Sequence, residues 1–218
     1  MTFRGWPAEA LEFFEGLEAD NTKAYWQDNK KLYDESVKAP MEALLAELAP
    51  QFGEGKIFRP YRDVRFSADK TPYKTNMGAQ LAAGGYIELS SIGLASGRGF
   101  WHMQSDQLAR FRSAIDDDKT GKELVDTLAT LAKKGIEPIA IGELKTAPKG
   151  YPKDHPRIEL LRKKGLATWK RWPVAAWLGT AKAKERIETF LHDSDPVYKW
   201  LETNVGPTTM DESGRRGR

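Results

Sequence analysis

The 218-residue sequence has no cysteine, only three histidines, and no apolar run long enough to cross a bilayer. Without thiols, disulfide bonds, cysteine nucleophiles and thiolate-bound zinc are excluded outright. His102, His155 and His192 lack the helical spacing of metal ligands, so no metal and no cofactor is expected. The opening "MTFRGWPAEALEFF" lacks the apolar core of a secretory signal. The expectation is a cytoplasmic protein with no membrane partner. Excess charge is also scarce: 34 Lys and Arg face 31 Asp and Glu, a formal net charge of +3. That argues against a general nucleic-acid coat.

What charge excess exists is concentrated. The stretch "FRPYRDVRFSADKTPYK", positions 58–74, holds five cations (Arg59, Arg62, Arg65, Lys70, Lys74) and two anions (Asp63, Asp69), so it alone carries an excess of three. Four aromatics are interleaved with them. Seven tryptophans in a chain of this length point to a core, or a groove, built around large flat side chains.

Apolar periodicity divides the rest. Pro7 opens a helical pattern with Leu11, Phe14 and Leu17 on one face, ending near Asp20–Asn21. A second begins at Thr22 and carries Trp26, Asn29, Tyr33 and Val37. Pro40 is expected to stop or kink it, before a short helix with Met41, Leu44, Leu45 and Leu48. From Lys56 the period becomes two. An extended Arg59–Phe66 segment would put Arg59, Tyr61, Asp63 and Arg65 on one face. Met77, Ala79 and Leu81 alternate next, and Gly84-Gly85 reads as a hairpin turn into "YIELSSIGL". "ASGRG" reads as a second turn, into "FWHM". Helices follow from Ser105 and from Thr120, the second closed by Gly135. "IEPIAIGELK" reads as a strand weakened by Pro138, "LATWKRW" as another, and two helices finish the chain, around Ile187 and after Asp195-Pro196. The fold class is α+β, an antiparallel meander of three to five strands packed with N-terminal and C-terminal helices. One domain is expected over 1–205, with a disordered basic tail over 206–218.

Three segments, "RPYRDVRFSADKTPYKTN", "APKGYPKDHPRIELLRKKGL" and "NTKAYWQDNKKLYDESVKAPMEALLAEL", resemble a bacterial and fungal family known only as domain of unknown function 2461. The resemblance runs from Trp6 to about Val205. It supports the importance of the Arg62–Lys74 pattern and implies no chemistry.

The chemistry must come from the residues. Arg forks match phosphate or carboxylate, and Lys adds a compact charge. Arg59, Arg62, Arg65, Lys70, Tyr73 and Lys74 are therefore the candidate anion site, with Asp63 orienting the forks or carrying a proton. The competing reading is an internal ion-pair network of Asp63 with Arg65 and Asp69 with a nearby cation. The loop "PKGYPKDHPR" has the same character: Lys149 and Arg157 would add a second wall, and His155 is a candidate general base or acid. A helix start at Pro156 explains His155 as well. Glu143-x-Lys145 has the spacing of a metal nuclease but ranks below an ordinary solvated pair. "GLASGRG" is followed by a strand pattern, which sets a phosphate loop aside. The expected partner is a small anionic ligand. The alternatives are an enzyme acting on a phosphorylated substrate or nucleic acid, and a non-catalytic module binding nucleic acid or protein.

Overall fold

The computed structural model describes residues 2–210. It is α+β, with helices at both ends of the chain and a six-stranded sheet in the order β1-β2-β3-β4-β6-β5. The strands are β1 (Gly55–Ile57), β2 (Asn76–Leu81), β3 (Gly85–Ser90), β4 (Gly93–Phe100), β5 (Glu137–Ile139) and β6 (Leu166–Trp172). The pairs β1–β2, β2–β3 and β5–β6 are antiparallel, with Ile57 opposite Ala79, Met77 opposite Leu89 and Ile139 opposite Ala167. Pro138 sits in β5, an edge strand, where its missing N–H costs no ladder bond on the outer side. No helix among the described residues is long and apolar enough to cross a membrane.

The described residues gather into two compact units, 2–97 with 170–192 and 98–169 with 193–210. In the first, α1 (Ala8–Ala19) and α2 (Lys23–Asp28) bury Phe13, Phe14, Leu17 and Trp26. Thr22 caps α2 by accepting from the Tyr25 N–H. A short α3 (Lys30–Leu32) runs into a wide π-helical stretch, Tyr33–Lys38, and on into α4 (Ala39–Phe52). Pro40 therefore neither stops the helix nor ends its apolar face. The Ala39 N–H reaches back to the Asp34 carbonyl, five residues away, and this widened turn gives the proline ring room where an α-turn would clash.

A second departure from the sequence reading lies in β4. "GLASGRG" is a strand, and the turn precedes it at Ser91–Ile92. Gly93 adopts φ +122°. A Cβ there would stand 2.3 Å from the Trp172 carbonyl oxygen, so the glycine permits close backbone approach within the sheet.

The second unit holds α5 (Ser105–Asp116), α6 (Asp118–Ala132), the short α7 (Ile158–Arg162) and α9 (Asp195–Asn204). α8 (Lys182–Asp193) belongs to the first unit except for its last residue. Gln104, not Ser105, caps α5 through a box with Gln107, and Asp117 caps α6 three residues ahead of Thr120. Trp200 of α9 packs edge-on against Phe111 and donates its indole N–H to the Thr120 carbonyl. Of the segment expected to be a disordered basic tail, the residues from 211 onward lie outside the described residues. Its first part runs along α5, where Arg110 donates to the Pro207 carbonyl and Thr208 to Asp106.

Gly93→Ala is expected to cost at least about 1–3 kcal/mol, because it combines strained φ with a backbone clash. Urea unfolding followed by tryptophan fluorescence measures it, and an unchanged midpoint would show that β4 tolerates a side chain there.

Candidate functional site

Between Ile57 and Asn76 the chain leaves the sheet. The extended Arg59–Phe66 strand expected from alternation does not form, because proline interrupts both arms. The sole pairing inside this loop is an isolated antiparallel bridge between Tyr61 and Tyr73. Arg62 N–H donates to the Pro72 carbonyl at 2.9 Å and Lys74 N–H to the Pro60 carbonyl at 2.8 Å. Pro60 and Pro72 accept these bonds but have no N–H of their own, so the ladder cannot continue. The result is a long loop pinched at a neck.

The neck is held down by residues from α1 and α2. Asn21 precedes the Thr22 cap, and its side chain bonds both ways to Tyr73. Nδ2 donates to the Tyr73 carbonyl and Oδ1 accepts the Tyr73 N–H, each at 3.1 Å. This mimics one rung of a β-ladder at a place where no strand is available. One helical turn on, the Trp26 ring lies face to face with Tyr73, centroids 4.4 Å apart and planes within 6°. Tyr61 and Tyr33 pack on the same indole at 6.3 and 4.8 Å. Burial pushes the Tyr33 phenol well above its ordinary range, with nearby Asp34 and Glu42 adding to the effect. Asn29, the odd polar member of this helix face, turns back to the Tyr25 carbonyl as a helix terminus.

Most of the loop's cations are engaged within the loop itself. Arg65 forks onto Asp63, with Nε to Oδ1 at 2.9 Å and Nη2 to Oδ2 at 2.7 Å, and both side chains are exposed. Arg62 bonds to Asp69 and to the Thr71 hydroxyl. Lys70 donates to the Val64 carbonyl, and the Lys74 ammonium lies 5.7 Å from the Phe58 ring centroid. The Arg65 fork draws the Asp63 carboxyl down to about 2. Asp69 is also held at about 2, mainly by the Thr71 N–H and then by Arg62. A carboxyl so acidic stays ionised near neutrality, which makes Asp63 a poor proton carrier there.

Two of these cations share a cleft. Arg62, Lys74 and Tyr73 line a cavity of about 470 Å³ with Glu18, Asn21, Asp69, Thr71, Thr75 and Asn76. Arg59, Arg65 and Lys70 are not among its lining residues. Sequence reading missed Glu18, Asn21, Thr71, Thr75 and Asn76. Only the Asn21-Thr22 pair carried a signal, as a helix boundary, and that says nothing about what its amide faces.

The second basic segment belongs to the other unit. Gly150 turns the loop with φ +93°, and Lys149 is exposed. His155 is buried with both ring nitrogens engaged: Nδ1 accepts the Arg157 N–H at 3.0 Å, which leaves Nε2–H to donate to Asp116 at 3.1 Å. Arg157 donates to the Ile115 and Asp116 carbonyls and to the Asp118 carboxylate. A cation on the last carbonyls of α5 complements the helix dipole, so these bonds are those of a helix junction. Glu143 pairs with Arg162 at 3.2 Å. Among the described residues no three His, Asp or Glu side chains converge as metal ligands.

Comparison with known proteins adds a family. The profile of conserved hypothetical proteins termed DUF2461 matches residues 9–200. No curated protein matches the chain. A solved conserved hypothetical protein from Pyrococcus furiosus aligns with 75% of this chain and 93% of its own, at 10% identity and a TM-score of 0.35.

Two outcomes follow from the loop's electrostatics. Asp63 and Asp69 have folded pKa values near 2, below the ordinary carboxylate value of about 4. Their contribution is therefore complete above about pH 4 and is lost as pH falls through about 2. A carboxyl titration by NMR checks this, and midpoints near 4 would mean that the pairs do not form in solution. Arg65→Ala is expected to leave the melting temperature nearly unchanged, since the pair is exposed and screened. A large drop in thermal melting would instead assign Arg65 a buried structural role.

Proposed function

The chain belongs to the conserved hypothetical protein family DUF2461, and we propose that the cleft beside Tyr73 binds a small ligand carrying a phosphate or carboxylate. The observation that carries this reading is the placement of Arg62 and Lys74 on one cleft with the Thr75 hydroxyl and the Asn76 amide, which keeps one N–H beyond its bond to Glu88. A planar fork, a compact ammonium and neutral donors together suit an oxyanion. The volume of about 470 Å³ falls within the usual range for small-molecule sites, roughly 300–1,000 Å³.

The two carboxylates on the cleft refine the ligand. Asp69 is committed to Arg62 and Thr71. Glu18 accepts from the Ser91 hydroxyl at 2.7 Å and has lone pairs to spare. A bare polyanion would meet its repulsion, whereas an anion that also bears a hydroxyl or amino group would bond to it. Phosphorylated or carboxylated metabolites of that kind fit best. Binding is favoured over catalysis, because Asp63 does not line the cleft and is bonded to Arg65, and both nitrogens of His155 are engaged in a helix junction.

Isothermal titration with inorganic phosphate, pyrophosphate and adenosine monophosphate tests the proposal. Lys74→Ala is expected to weaken binding about tenfold or more, the scale of one charge-assisted hydrogen bond, while Arg65→Ala leaves it unchanged. Absence of binding by all three at millimolar concentration, or equal affinity in Lys74→Ala, would overturn it.

A further inference from the structure

Phe66, at the turn of the β1–β2 loop, is 98% exposed, so its ring contributes almost nothing to the packing of the fold. It does not stand alone. Tyr61 is 50% exposed although it packs on Trp26 and Tyr73, and Phe58 is also partly open. Exposed cations alternate with these rings along the chain. Arg59 follows Phe58, the Arg65 guanidinium lies 5.9 Å from the Phe66 centroid, and the exposed Lys70 comes shortly after. The segment 58–74 has five cations and two carboxylates, an excess of three. Those carboxylates bond to Arg62 and Arg65, leaving Arg59 and Lys70 without a carboxylate partner among the described residues.

We propose that this loop is a binding surface for single-stranded nucleic acid, with the open faces of Phe66 and Tyr61 stacking on unpaired bases and Arg59 and Lys70 meeting phosphates. Stacking tolerates any base, because every base has a π face, and tracking cations supply the salt-dependent part of the affinity. The bases of a duplex are already stacked on one another, so rings presented on a loop favour single strands. A bilayer is the poorer partner. One fully exposed ring offers little apolar area for insertion, and its two companions are partly packed against the fold. The proposal stands apart from the small-ligand cleft, whose lining includes neither Phe66, Tyr61 nor Arg59.

Fluorescence anisotropy of a labelled oligothymidylate of about 15 nucleotides, at about 50 mM salt, tests it on the full chain. The single strand is expected to bind more tightly than a duplex of equal length. Phe66→Ala should weaken it at least about fivefold without moving the phosphate titration or the melting temperature. Arg59→Ala should flatten the dependence of log affinity on log salt by about 0.7, the value for one phosphate contact on a single strand. Absence of oligonucleotide binding, equal affinity in Phe66→Ala, or Phe66-dependent binding to phosphatidylserine vesicles without oligonucleotide binding would each overturn the proposal.

Discussion

The stack of Tyr73 on Trp26, locked by the two hydrogen bonds of Asn21, fixes everything proposed for the β1–β2 loop. The loop leaves the sheet after Ile57 and returns at Asn76, and proline denies it a ladder of its own. An ion-pair network alone would hold such a segment weakly, because its pairs face water and are screened. Burying an indole is a different order of effect: truncating a buried Trp to Ala typically costs about 3–5 kcal/mol. The aromatic anchor therefore sets the position of the neck, and the ion pairs set the shape of what lies beyond it.

That division assigns the charges their separate roles. Arg62 and Lys74 flank the neck and so reach the cleft that Tyr73 also lines. Arg65 lies beyond the neck and turns onto Asp63, at the exposed end where Phe66 sits. One segment thus contributes residues to both proposed surfaces. The widened helical turn at Tyr33–Lys38 also contributes, because it carries Tyr33 against the Trp26 ring, which α1 contacts edge-on through Phe13.

Much of the scaffold was legible in the sequence, for identifiable reasons. Helices with strong apolar periodicity, such as the one around Ile187 and Leu191, and the strand "LATWKRW" stand where patterning put them. Local rules misled wherever a tertiary contact outweighed them. "GLASGRG" has turn composition, yet its Gly93 and Gly99 serve close approach to β6. Pro40 carries a stop signal, yet a π-turn absorbs it. The Arg59–Phe66 alternation looks like a strand, but a strand needs donors that Pro60 and Pro72 lack. At the site, the basic-aromatic segment announced itself by composition, whereas Glu18, Asn21 and Asn76 are ordinary residues until the fold brings them to the same cleft. His155 and Arg157, singled out for their functional-looking composition, bond across a helix junction that the sequence offered only as a helix start at Pro156.

Amide hydrogen exchange across 58–81 in the wild-type chain and in Asn21→Ala tests the anchor most directly. If Asn21 and the Trp26–Tyr73 stack hold the neck, the amides of Arg62, Tyr73 and Lys74 are slow to exchange in the wild type. They should become fast in Asn21→Ala, while those of Met77–Leu81 in β2 keep their protection. Fast exchange at the neck in the wild type, or unchanged protection in Asn21→Ala, would contradict the account.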